Sequence, residues 1–296
     1  MHNSDLDTSI SSDYQKLKDI LSTFSLESFN SKADIERYVH TFEINAICTQ
    51  VAADSANNPH THLKRTVMAS QDKPFEPEYS DLCRLHYLAL TRKPVNVLEF
   101  GSGFSTLVFA HAMQVLSKHF HGFAHENFRA DKLFHTYSIE EEQRFLDVTK
   151  QRLSPQQQEH VSLSRSSVEL IQHDNRFATV YSKLPDISPD FIYLDGPSLF
   201  GTTNEINGFS MTNQCRMPMS ADILRVEFFL EPGTLILVDG RTANARFLRA
   251  YLKRDWAYMH DPIGDIHYFE LQEDALGKIN ATKLTFCLNN KWLIQP

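Results

Sequence analysis

Three short apolar runs, each carrying an acidic residue at or beside its end, constrain this chain more than any other feature. They are VNVLEF (95–100), DFIYLD (190–195) and TLILVD (234–239). A strand with one wet face alternates apolar and polar residues. A strand that is apolar throughout must be covered on both faces, the condition of a parallel sheet flanked by crossover helices. The intervening segments have helical spacing. Phe104, Leu107, Val108 and His111 predict a helix to about 117, and Phe145, Val148 and Leu153 predict one over 141–153. A third is expected over 220–230, with Ser220 as its cap and Asp222 in its first turn, and a fourth carries Phe247, Leu248, Tyr251 and Leu252. Shorter strands fit 136–139 and 161–164, while IHYFEL (266–271) and KLTFCL (283–288) read as an antiparallel closing pair at a sheet edge.

Upstream of this alternation, Leu17, Ile20, Leu21 and Phe24 predict a helix after a polar start, and Ile35, Val39, Phe42 and Ala46 another over about 32–50. Residues 52–78 are polar and loop-like. Tyr79–Arg92 is helical, with Leu82, Leu85, His86 and Ala89 on one stripe and Pro94 as its stop. The 296 residues, 42% of them hydrophobic and only 22% charged, can bury a sizeable core, which excludes a disordered chain. Lys+Arg 29 against Asp+Glu 37 leaves a charge of −8, which argues against nucleic acid as a partner. Cys48, Cys83, Cys215 and Cys287 have no metal-type spacing, the first fifteen residues lack an apolar signal core, and no long apolar run occurs. The expectation is a soluble, cytoplasmic protein with no membrane contact.

The chemistry concentrates in VLEFGSGFST (97–106), where a buried strand passes through two glycines into a helix. Gly101 and Gly103 permit a tight turn and close approach of a ligand to the backbone, and the helix start presents unpaired N–H groups. The carboxylate of Glu99 suits a ligand bearing an amino group or hydroxyl donors better than a pyrophosphate. HTYSIE (135–140) ends a second strand in Glu140, whose carboxylate can accept two hydroxyl protons; Glu141 is the alternative ligand, and helix N-terminal charge complementarity the alternative role. DFIYLDGP (190–197) delivers Asp195 into a Gly196–Pro197 turn, and Asp239 in VDGR follows the same logic. Open parallel sheets bind ligands beyond the carboxyl ends of their strands, so Glu99, Glu140, Asp195 and Asp239 should face one crevice.

These motifs resemble those of class I S-adenosylmethionine-dependent methyltransferases, in the variant written E-x-G-S-G-x-S-T, with Ser105 in place of the third glycine. The resemblance implies an α/β, Rossmann-like three-layer fold over 79–296, with a mostly parallel seven-stranded sheet whose last strand is antiparallel. Residues 1–78 would form an N-terminal helical extension that narrows the acceptor pocket or makes a homodimer contact. The donor, S-adenosyl-L-methionine, would lie across Glu99, Phe100, Gly101, Ser102, Gly103, Ser105 and Glu140. Asp195 and Asp239 would be catalytic, as base or substrate orienter, in methyl transfer to a hydroxyl, or an amine, of a small polar or sugar-like acceptor.

Some relatives hold a divalent cation on acids after the fourth and fifth strands, but Gly240 stands where a third ligand belongs, and no metal is expected there. Of the five histidines His111, His119, His121, His125 and His135, His111 falls on an apolar helix face and His119 and His121 in an expected loop, with no Cys or regular i,i+4 partner, and they predict no metal site either; His267 is a weaker candidate site residue. The segment 198–220 is the expected lid, with Arg216 or Arg241 able to read an anionic acceptor or to make surface ion pairs. Two rivals remain. A nicotinamide-dependent oxidoreductase would share the strand–loop–helix logic but fits poorly with Thr106 and with the 41 residues from Glu99 to Glu140, where roughly 20 are usual. The other is a non-catalytic binding protein on the same fold.

Overall fold

The computed structural model describes residues 12–49, 77–198, 201–202, 204–213, 215–289 and 291–295. The polar start up to residue 11 and most of the expected loop at 52–78 lie outside the described residues, and residues 12–15, which also belong to that polar start, are helical. Helices α1 (Ser12–Leu21), α2 (Lys32–Thr41) and α3 (Ile44–Thr49) precede α4 (Tyr79–Arg92). The single helix expected over 32–50 is two, because Glu43 adopts a left-handed φ of 51° that no helix accommodates. Helix α4 matches its expected bounds and ends at Lys93, left-handed, just before Pro94.

Strand β1 (Asn96–Phe100) leads into α5 (Phe104–Asn127), then β2 (His135–Glu140), α6 (Gln143–Arg152), α7 (Pro155–Gln158) and β3 (Val161–Arg165). After these come β4 (Val168–His173), β5 (Arg176–Tyr181), β6 (Phe191–Leu194), β7 (Glu205–Ile206), β8 (Phe209–Ser210) and α8 (Asp222–Val226). The chain closes with β9 (Leu235–Asp239), α9 (Thr242–Tyr251), β10 (Trp256–Asp261), β11 (Ile266–Leu271) and α10 (Gly277–Leu288). The main sheet runs β10–β11–β9–β6–β1–β2–β3. Strands β9, β6, β1, β2 and β3 pair in parallel, and β11 is antiparallel to both of its neighbours. This is the expected Rossmann-like sheet of seven strands with the last one reversed.

Alternation along the apolar runs explains their composition. Val97, Phe191, Tyr193, Leu235 and Leu237 enter one hydrophobic cluster with α4, α5 and α10. Leu98, Phe100, Ile192, Leu194, Ile236 and Val238 enter another with Ile223, Ala245 and Leu248 of α8 and α9. Each large side chain so buried contributes roughly 1.5–3 kcal/mol. Tyr14, Phe24, Phe29, Tyr38 and Ile44 belong to the first cluster, so residues 12–49 thicken the layer that already covers that face.

Three expectations need correction. The run 283–288 is helical, part of α10, and β11 pairs with β10 instead. Phe286 and Cys287 bury against α5 and Lys93, a role that helical spacing serves as well as a strand would. Ser220 does not cap α8: Ala221 holds that position without a side-chain bond, and Ser220 Oγ donates to Asp222 at 3.0 Å instead. Helix α5 continues ten residues beyond Ser117, so His119, His121 and His125 lie on a helix, not in a loop.

Candidate active site

Chain order reverses at β1. From β1 the chain steps to β2 and β3 on one side, then returns across β1 to β6 and β9 on the other. A crevice at the carboxyl ends of β1 and β6 follows from such a switch point. The glycine loop and Asp195 occupy those two ends.

The loop is shaped from below. Gly101 sits at φ 106°, where a side chain would be strained, and its N–H donates to the Ile139 carbonyl at 2.8 Å. Glu99 is fully buried, and its carboxylate accepts from Ser105 Oγ (2.5 Å), Thr106 Oγ1 (2.7 Å) and Ser138 Oγ (2.5 Å). Burial pushes its pKa up to about 7, against the pull of those three hydroxyls. Ser138 Oγ also lies 2.9 Å from the Gly101 carbonyl. Glu99 therefore stands beneath the loop as a keystone, with its oxygens taken by the protein. Phe100 is likewise buried against Tyr181, and its carbonyl accepts from the Asp195 N–H at 3.1 Å.

One strand over, Glu140 grips the loop from the side. Its Oε2 accepts from the Ser102 N–H at 3.0 Å and lies 3.3 Å from Ser102 Oγ, and its Oε1 accepts from the Glu142 N–H at 3.0 Å. Two carboxylate oxygens offer about four lone-pair sites, so capacity remains for a ligand's hydroxyls. Burial and the adjacent Glu141 carboxyl raise the Glu140 pKa to about 8. Glu141 faces other partners: the Ser198 N–H at 2.6 Å and the Tyr181 hydroxyl at 3.2 Å. Gly103, at the start of α5, has its N–H on Thr106 Oγ1, and a Cβ there would meet no atom within 4 Å. The space above the loop is thus open.

On the other flank, Asp195 is more than half exposed, and Arg241, itself largely buried, approaches its carboxylate to 3.6 Å. The Arg241 guanidinium also donates to the Asp195 and Pro197 carbonyls. Asp239 is buried and accepts from the Tyr193 hydroxyl at 2.7 Å. All four expected acids stand at the carboxyl ends of adjacent strands, Asp195 on a wet rim and Glu99 under cover. Arg216 stacks on Phe209 at 3.9 Å and donates to the Ser210 carbonyl.

The described residues after β6 form a strap. Ser198 is tied to Glu141, Thr202 bridges to Val168, and Asn204 exchanges hydrogen bonds of 2.8 Å with both the N–H and the carbonyl of Leu170. Strands β7 and β8 turn at Asn207–Gly208, both at positive φ, and Phe209 packs on Phe177 of β5. Tyr181 ends the β4–β5 hairpin beneath Gly196, where a Cβ would come within 2.4 Å of its hydroxyl. Tyr181, Tyr193, Ser138 and Thr106 escaped the sequence reading because they act through other residues. The one local signal was the hydroxyl-rich face that Ser105, Thr106 and Ser138 turn toward Glu99.

No protein-family model and no curated protein matches the chain. Among solved structures it is similar to an SAH-bound methyltransferase, PaMTH1, of Podospora anserina, at 12% identity over 67% of this chain and 80% of that one, with a TM-score of 0.40. A putative caffeoyl-CoA O-methyltransferase from Staphylococcus aureus is 13% identical over 68% and 86%, also at 0.40. The O-methyltransferase TomG from Streptomyces achromogenes, in complex with SAM, is 14% identical over 67% and 82%, at 0.36.

Proposed function

We propose that this chain is an S-adenosylmethionine-dependent methyltransferase that acts on a hydroxyl of a small polar or sugar-like molecule. The reading rests above all on one observation: the Gly101–Gly103 loop stands at the switch point of a mostly parallel sheet, with Glu140 gripping one side and the exposed Asp195 on the other. The residues fit such a donor. The open space above Gly103 admits a ligand against the backbone, and Glu140 keeps acceptor capacity for ribose hydroxyls. When bound, the donor supplies an electrophilic methyl group carried on a sulfonium.

The chain's own residues do the rest. Asp195 takes the proton of the acceptor hydroxyl on its carboxylate, and Arg241 holds that carboxylate in place. Asp239, fixed by Tyr193, orients the acceptor from the next strand end. Glu99 and Phe100 act indirectly, by holding the loop and the Asp195 backbone. Residues 12–49 reach the same rim, since Asn30 Nδ2 donates to Asp261 at 3.3 Å and Arg84 donates to Asn30 Oδ1 at 3.1 Å. They wall the acceptor side, and the strap closes the donor side.

Asp195→Ala is expected to keep donor affinity within about twofold and to lower transfer by 10²–10⁴, roughly what a positioned base contributes. A panel of hydroxylated acceptors with radiolabelled methyl donor checks this. Unchanged turnover in Asp195→Ala removes the base assignment.

A further inference from the structure

The β10–β11 turn carries a group of side chains that methyl transfer does not use. Strand β10 runs in the same direction as β9, because both are antiparallel to β11, which lies between them. The turn therefore opens on the same edge as Asp239, and Asp265 accepts the Gly240 N–H on its carbonyl at 2.9 Å. His260 and His267 are directly opposed across the two strands, with rings stacked at 4.0 Å and 5° from parallel. Ligand-type atoms of His260, Asp265 and His267 all lie within 4.8 Å of one another, the one such group of three among the described residues.

We propose that His260, Asp265 and His267 bind a divalent ion of the zinc class. Two imidazoles and one carboxylate suit zinc, cobalt or nickel rather than magnesium or calcium, which prefer oxygen alone. Ligand bonds of about 2.0–2.2 Å nearly span the separations seen, and the exposed His260 ring must turn out of its stack on the fixed His267 ring to aim its in-plane lone pair at the ion.

The surroundings are organised as a ligand's supports should be. His267 is buried, and its Nδ1 lies 2.9 Å from the Tyr258 hydroxyl, which fixes the ring. Its Nε2 lies 3.0 Å from Thr242 Oγ1, and that hydroxyl is 3.3 Å from Asp265 Oδ1, so the Thr242 hydroxyl stands between two of the three proposed ligands, in the position the ion would take from it. His260 and Asp265 are exposed, which leaves an entry path and at least one coordination position for water or a donor oxygen. Arg249 lies over the Tyr258 ring at 4.5 Å, and Arg246, exposed on the same helix, is screened by solvent. Asp265 sits at φ 50°, a conformation that Asn also tolerates.

The test uses the full chain without a histidine tag. Co²⁺ is titrated and followed by its visible absorption bands, and Zn²⁺ by calorimetry. One equivalent is expected to bind. His260→Ala should abolish that equivalent, and Asp265→Asn and Tyr258→Phe should weaken it about tenfold, each with an unchanged circular dichroism spectrum. His121→Ala, which breaks the stacked His121–His125 pair on α5, should leave it intact. No stoichiometric site in the parent chain, binding that survives His260→Ala, or binding that is lost in His121→Ala would each overturn the proposal.

Discussion

At the scale of single residues, the candidate site is governed by buried carboxyl groups whose protonation differs from the ordinary. Glu140 is raised to about 8 by burial and by Glu141, so its proton is bound in the folded protein near neutrality and released in the unfolded chain above about pH 4.5. Stability from this group is present at low pH and is lost as pH rises through 8. Chemical denaturation at pH 5 and pH 8.5 should show a smaller loss in Glu140→Gln than in the parent chain. A hydroxyl-bearing ligand prefers the ionised carboxylate, so donor affinity should rise from pH 6 to 9 in the parent chain but not in that variant. Gly196 tests packing at the same scale. A Cβ there would lie 2.4 Å from the Tyr181 hydroxyl and 3.0 Å from backbone atoms of Phe100 and Gly101. Gly196→Ala should therefore cost about 1–3 kcal/mol in denaturant unfolding and displace the loop.

Among the elements, the strap after β6 departs furthest from what the sequence suggested. Its fastening depends on Asn204, whose side-chain amide satisfies both the N–H and the carbonyl of Leu170. Asn204→Ala leaves two backbone groups unpaired, at a cost of about 1–3 kcal/mol, and should speed hydrogen exchange at Leu170 while leaving β1 protected. The long parallel strands were legible from composition because each must be apolar on both faces, as Phe191–Leu194 and Leu235–Asp239 are. The β4–β5 hairpin was not. Its exposed Glu169 and Arg176 and half-covered Phe177 show only a weak alternation, and the strap that meets its edge at Val168 and Leu170 comes later in the chain. The run 283–288 misled because Leu284, Phe286 and Leu288 suit a strand's period of two, while the helix packs Phe286 on Phe120 and Phe123. Glu99 was legible as part of the loop but not as its hidden support, since the hydroxyls that engage it come from two separate elements.

For the molecule as a whole, the edge opposite the candidate site carries the structural charges. Glu270 is fully buried and accepts from the Arg92 guanidinium and from the N–H groups of Leu293 (3.0 Å) and Ile294 (2.9 Å). Arg92→Ala leaves that carboxylate without its cation and should cost about 3–5 kcal/mol, with donor binding unchanged in the fraction that folds. This pair stands at the amino ends of the parallel strands, whose carboxyl ends all gather on the other side, at the candidate site. The measurement that bears most directly on the account is isothermal calorimetry of the full chain with S-adenosylhomocysteine, beside NAD and NADP, in the parent chain and in Gly101→Val. The account predicts one equivalent of S-adenosylhomocysteine bound, none in Gly101→Val, and no heat from either dinucleotide. Dinucleotide binding, or S-adenosylhomocysteine binding that Gly101→Val leaves intact, would contradict it.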